Sequence, residues 1–287
     1  MIRNKSIGAL FASPWIVSFA VFWFFPLVYS LVLGFSDYRL LRPSYAWVGL
    51  ENYFTLFSDQ SFLVSLKNTF IFVIGTIPVT TAIALGLALL VNRNFVGRTI
   101  FRSAYFMPSV TSMIVVALVF TNLYSRGGYI YLLAEMLGFS PPPNGFLLSS
   151  STALYAIMAM DVWMSVGYYM LLFLAGLKSI PVELYEAAEV NGAGAWQKFR
   201  YITLPLLKPV ALFIIIINTI KSFQVFVEIF VMTRGRYGTS TAVYFIYEAG
   251  LSHFEFGYAS AAAYVLFIII AVFSLIQFRL FRQRPIW

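Results

Sequence analysis

Asp161, Ser165 and Tyr168 are spaced i, i+4 and i+7, which puts a carboxylate, a hydroxyl and a phenol on one face of a helix. Asn218, Lys221, Ser222 and Val225 share a second face, with Gln224 and Glu228 close by. Groups of these types do recognition chemistry. Hydroxyls and amides exchange hydrogen bonds with a polar solute, and Trp163, Tyr168 and Tyr169 add ring faces. The same groups serve equally well as hydrogen-bonding links between helices. Lys221 stands in an otherwise apolar stretch and needs a counter-charge. Asp161 or Glu228 would supply one, and so would an anionic solute. A further set, Glu183, Glu186 and Glu189, is spaced by three and makes an acidic stripe beside Ala187 and Ala188.

Catalytic chemistry is excluded by what is missing. The Lys-Ser pairs at Lys5, Lys178 and Lys221 follow Asn4, Leu177 and Ile220, never Gly, so no phosphate-binding loop is present. There is no Cys, and His253 is the one histidine, so neither a thiolate site nor a multi-histidine metal centre can form within the chain. No catalytic and no metal-ligating residue is assigned. Energy from ATP would have to come from another polypeptide.

The elements that must position these groups follow from composition. Of 287 residues, 61% are hydrophobic and 10% charged, against roughly 25% charged in a soluble domain. No water-soluble fold of this size hides so much apolar surface. The chain reads as an all-α membrane protein, one transmembrane domain over 1–287, with six helices at roughly 9–35, 69–91, 104–124, 152–177, 209–232 and 258–278. Pro141-Pro142-Pro143 marks a loop before the fourth span. The first span is too long for a signal peptide and is expected to be retained.

Nineteen Lys and Arg against eleven Asp and Glu give a net charge of +8. In a soluble chain that would suggest nucleic acid. Here topology explains it: twelve basic residues, Arg3, Arg282 and Arg284 among them, fall on the side of the N-terminus, six fall on the other, and Lys221 is within a span. That bias places both termini in the cytoplasm, and no nucleic-acid partner is expected.

Residues 178–205 form the largest inner loop. Ser179 near a cap, Pro181 in the first turn and Glu183 after it start a short helix, which Asn191-Gly192 and Gly194 stop near Val190. A second short helix follows, from about Ala195 to Tyr201. The string Glu186-Ala187-Ala188, Asn191-Gly192-Ala193, Phe199, Ile202 and Leu204-Pro205 resembles the EAA loop of binding-protein-dependent ABC transporter permeases. Flanking segments extend the likeness over nearly the whole chain. Gly49-Leu50-Glu51-Asn52-Tyr53, Met107-Pro108 and Gly257-Tyr258-Ala259-Ser260-Ala261 are similar to the carbohydrate-uptake branch, which includes the maltose and glycerol-3-phosphate permeases. Two departures stand out. Asn191 occupies a position where the family usually has Asp, and Arg234-Gly235-Arg236-Tyr237 replaces a common Gly-Gly-Pro turn.

The resemblance implies a type I ABC importer permease fold in a bacterial or archaeal cytoplasmic (inner) membrane. It implies three kinds of partner besides the lipid bilayer: a second permease subunit forming a heterodimer, two ABC ATPase subunits, and an extracytoplasmic solute-binding protein. No cofactor is expected in this chain, since ATP and Mg belong to the ATPases. Glu183, Glu186, Ala187, Ala188, Asn191, Gly192 and Gly194 would form the ATPase-coupling loop. Asp161, Ser165, Tyr168, Asn218, Lys221, Ser222 and Gln224 would line the path of a sugar or oligosaccharide, neutral or acidic. The competing class is a carrier or channel working alone, which gives the EAA loop no role.

Overall fold

In a computed structural model, residues 5–42 and 45–281 are described. Arg3, Arg282 and Arg284 of the basic inner set lie outside them. The chain divides into two compact units, Met1–Leu63 with Phe245–Ile268 and Val64–Tyr244 with Ile269–Trp287. Among the described residues the structure is nearly all helical, and its one β-bridge pairs Ser36 with Trp47. Five helices are long and apolar enough to cross a membrane: Phe11–Leu33, Gln60–Asn92, Ala153–Lys178, Ala195–Met232 and Phe256–Leu280. A bent pair, Arg98–Val110 and Met113–Tyr124, makes a sixth span if counted as one.

In the first unit, α1 runs through Lys5–Phe19, a π-turn at Ala20–Phe24, and Phe25–Leu33. A short helix not expected from the sequence, α2 (Glu51–Ser58), follows a tight loop. That loop is tied by Asn52, whose amide donates to the carbonyls of Gly34 (3.0 Å) and Ser36 (2.8 Å). The Phe35 ring stacks on Trp47.

The second unit carries the polar faces. The helix α3 (Gln60–Asn92) begins in the first unit and keeps going past Pro78. It presents Ala84 and Ala88, both fully buried, to Tyr169, Phe173 and Leu177 of α7, the helix Ala153–Lys178. Small residues on one helix let the large ones of the other seat between them. A second apolar cluster joins Phe72, Ile157, Met160, Met164, Val225 and Ile229.

Two spans depart from the straight helices expected. The stretch 104–124 is not one rod. α4 (Arg98–Val110) and α5 (Met113–Tyr124) meet at an angle of 97°, and the short helix α6 (Tyr129–Met136) follows. Pro108 has no N–H to give to the preceding turn, and Thr111 and Ser112 are extended, with ψ of 149° and 125°. The Thr111 hydroxyl donates back to the Met107 carbonyl at 3.0 Å, replacing a bond that the bend removes. The stretch 209–232 is likewise interrupted. Its helix starts much earlier, at α9 (Ala195–Lys198, a π-turn Phe199–Thr203, then Leu204–Phe223), and stops before α10 (Val227–Met232). Phe226 sits between them at φ −143°, ψ −55°. The buried Glu228 lies in the first turn of α10, the end of a helix where an acidic side chain is favoured.

α4 and α7 are stitched at one point. Gly167 leaves no room for a side chain: a Cβ there would overlap the Tyr105 carbonyl and lie 2.9 Å from Phe106 Cα. One turn away, the Ser109 hydroxyl enters the backbone ladder of α7. It donates to the Met164 carbonyl (2.9 Å) and accepts from the Tyr168 N–H (3.1 Å), two groups that bond each other in an uninterrupted helix.

Candidate functional site

α7 and α9 bring the two predicted polar faces together. Lys221 Nζ donates to Ser165 Oγ at 2.7 Å and approaches Asp161 Oδ1 at 3.4 Å. Ser165 Oγ in turn lies 3.4 Å from Asp161 Oδ1, so the hydroxyl bridges the ion pair. Asp161 and Ser165 are buried, whereas the Lys221 side chain is 45% exposed. Glu228 enters none of the ion pairs among the described residues. Of the two carboxylates open to Lys221 in the sequence, Asp161 is the one in reach.

Lys221 stands in the wall between two cavities. One, of about 440 Å³, is lined by Asp161, Lys221, Ser222, Gln224 and Glu228 on a wall of Phe72, Met113, Ile217, Ile220 and Val225. The other, of about 300 Å³, has Ser109, Met164, Ser165, Tyr168 and Tyr169 around Lys221. Asp161, Ser165, Tyr168, Lys221, Ser222 and Gln224 are thus assembled at open space. Asn218 is not: it lines neither cavity, its Oδ1 takes the Ser222 hydroxyl at 3.4 Å, and its Nδ2 is buried without a partner among the described residues. Ser222 also reaches Thr76 at 3.4 Å, so part of this polar face links α9 to α3. Ser109 is a lining residue that sequence reasoning missed. Its helix is distant in sequence, and a serine after a proline carries no sign that it enters another helix.

The loop 178–205 is a helix–turn–helix as expected, with α8 at Val182–Val190 and the second helix continuing directly into α9. Gly192 has φ +76°, the left-handed conformation that a helix-ending turn of this kind requires. The Asn191 amide donates to the Ala187 carbonyl at 2.8 Å and so caps α8. An Asp carboxylate, the usual residue of the resembling family, has no hydrogen to donate there. The Gly194 N–H donates to Gln197 Oε1 at 2.7 Å, and Lys198 pairs with Glu189 across the turn. Tyr185 joins Thr203 at 2.9 Å, linking α8 to the π-turn at the foot of α9. Glu183, Glu186 and Ala187 are exposed and Ala188 half-buried, while Val190 and Trp196 show 90% and 71% of their surface. So much apolar and acidic surface on one small motif is suited to a protein partner.

Broken and unbroken apolar helices, with a polar ion-paired seam between cavities and an exposed helix–turn–helix, define a polytopic membrane protein. Residues 79–285 match the family described as "Binding-protein-dependent transport system inner membrane component", and the chain belongs to that family. It is 36% identical over 284 residues to the arabinooligosaccharides transport system permease protein AraP of Bacillus subtilis (strain 168), covering 96% of this chain and 89% of that protein. It is 32% identical to the lactose transport system permease protein LacF of Rhizobium radiobacter, covering 96% and 94%. In fold it is similar to a chain from the crystal structure of a bacterial alginate ABC transporter in complex with alginate pentasaccharide-bound periplasmic protein. The TM-score is 0.86, with 22% identity over 98% of this chain and 96% of that one.

Proposed function

We propose that this chain is the membrane-spanning subunit of an ABC importer for a sugar or oligosaccharide, and that it forms the translocation path with a second, different permease subunit. The observation that carries the reading is likeness over 96% of the chain to permeases named for arabinooligosaccharide and lactose transport. An extracytoplasmic binding protein delivers the solute, and two partner ATPases hold ATP and Mg and hydrolyse the nucleotide. Both termini and the loop 178–205 face the cytoplasm, in keeping with the basic-residue bias.

In this reading α8 docks on the ATPase. Glu183 and Glu186 supply charge to a basic cleft, Ala187 and Ala188 allow close approach, and Asn191, Gly192 and Gly194 hold the turn that aims the helix. ATP-driven closure of the ATPases moves α8, and the bundle exchanges inward- and outward-facing states. Asp161, Ser165, Tyr168, Lys221, Ser222 and Gln224 offer hydrogen bonds to solute hydroxyls along the path, and Asn218 supports Ser222 from behind. Purification of the tagged chain tests the reading: an ATPase and a second six-span protein should accompany it. Glu186→Lys should lose the ATPase and transport while retaining the second permease. A mutant complex that keeps its ATPase and transports normally removes Glu186 from the docking surface.

A further inference from the structure

We infer that the saccharide taken by this subunit is uncharged, because its polar seam has no cation left for a carboxylate. This rests on the sugar-path reading above and deepens it. Among the described residues, Lys221 is the only Lys or Arg lining either cavity. Its ammonium is already engaged, by Ser165 at 2.7 Å and by Asp161 at 3.4 Å. A second carboxylate, Glu228, lines the same 440 Å³ cavity and is buried. With both carboxylates ionised the lining carries one net negative charge, and with one of them protonated it is neutral. In neither state is it positive.

A uronate entering this space would leave water for a wall of Phe72, Met113, Ile217, Ile220 and Val225 and find no cation that is not already paired. It would also meet repulsion from Asp161 and Glu228, which is how a site rejects a wrong ligand. A neutral sugar meets no such cost. The ammonium of Lys221 has three N–H groups, of which Ser165 and Asp161 engage two. The third, with the exposed Gln224 amide, can serve sugar hydroxyls. The fold is shared with an importer of the acidic polysaccharide alginate at 24% identity, but selectivity for charge is set by three side chains, not by the fold.

The chain has no native cysteine, so the potential inside the path can be read directly in the assembled complex. Ile217 lines both cavities and is 36% exposed. Ile217→Cys is converted to a mixed disulfide by cationic and anionic methanethiosulfonates, methanesulfinate leaving, with labelling of this chain quantified by mass spectrometry and each rate divided by that for a free thiol. We expect the cationic reagent to be favoured by about threefold or more, the preference to shrink in Asp161→Asn or Glu228→Gln, and to grow in Lys221→Met. No preference, or preference for the anion, overturns the inference, and it does so even if a partner subunit supplies the cation. A transport arm compares neutral and uronic oligosaccharides of equal length in proteoliposomes. Uptake of the uronic series over the neutral one also overturns it. Uptake of neither, by a complex whose ATPase is active, refutes the sugar-importer reading instead.

Discussion

Lys221→Met isolates the energetic weight of the seam. At 3.4 Å the Lys221–Asp161 pair has a Coulomb attraction of about 5 kcal/mol at an effective dielectric of about 20. The Lys221 side chain is 45% exposed, and solvent screening takes roughly half of that. Removing the ammonium leaves Asp161 buried, with only the Ser165 hydroxyl at 3.4 Å. We expect a destabilisation of about 2 kcal/mol, read as a fall of roughly 4–8 °C in the melting temperature of the purified complex. Asp161→Asn in the Lys221→Met background removes the stranded charge and should restore most of the loss, for a coupling of about 1.5 kcal/mol or more. The double-mutant cycle is measured by thermal unfolding, with Glu228→Gln as the control carboxylate outside the pair. Coupling below about 0.5 kcal/mol to Asp161, or larger coupling to Glu228, would refute the assignment of Asp161 as the partner.

Gly167→Ala should force α4 away from α7, because the added carbon overlaps the Tyr105 carbonyl; poor assembly or a melting temperature lower by several degrees is expected, and a stable, active variant would mean the crossing is looser than described. Tyr185→Phe deletes the 2.9 Å link between α8 and Thr203; the complex should still assemble, but with fewer solute molecules moved per ATP hydrolysed, and an unchanged ratio would deny the link a role in coupling. Single cysteines at Arg126 and Trp196, both exposed, should label with an impermeant reagent from outside and from inside respectively; the reverse pattern would invert the topology. Ser44 and Gln283, equally suitable by sequence for such labelling, lie outside the described residues.

The spans were legible because charge-free apolar runs have no other stable home than a bilayer. The loop helix, its end at Val190 and the positive φ of Gly192 were legible because capping chemistry is local. The 97° bend at Thr111–Ser112 was not, since Pro78 sits in an unbroken α3 and Pro108 beside a corner. A proline permits a bend, and neighbours decide it. The break at 224–226 has no proline at all, and the buried Glu228 in the first turn of α10 looked from sequence like a second candidate for Lys221. A pair between α7 and α9 was one of the alternatives open by residue type, but the choice of Asp161 over Glu228, the retreat of Asn218 from the cavities and the entry of Ser109 into α7 depend on helix rotation. A chain read one element at a time does not contain that angle.

The stitch between α4 and α7 has a mechanical meaning. Where backbone touches backbone, as Gly167 does Tyr105, no rotamer can absorb sliding, so the crossing behaves as a fulcrum. Lys178, at the loop end of α7, is eleven residues from it, and Asp161 is six residues away on the other side. By helical rise these arms are about 16 Å and about 9 Å. A tilt about the fulcrum therefore moves the loop end nearly twice as far as the Asp161 end, and in the opposite sense. As a lever the helix is a reducing one: a displacement of its Lys178 end becomes a shorter, opposite displacement at Asp161.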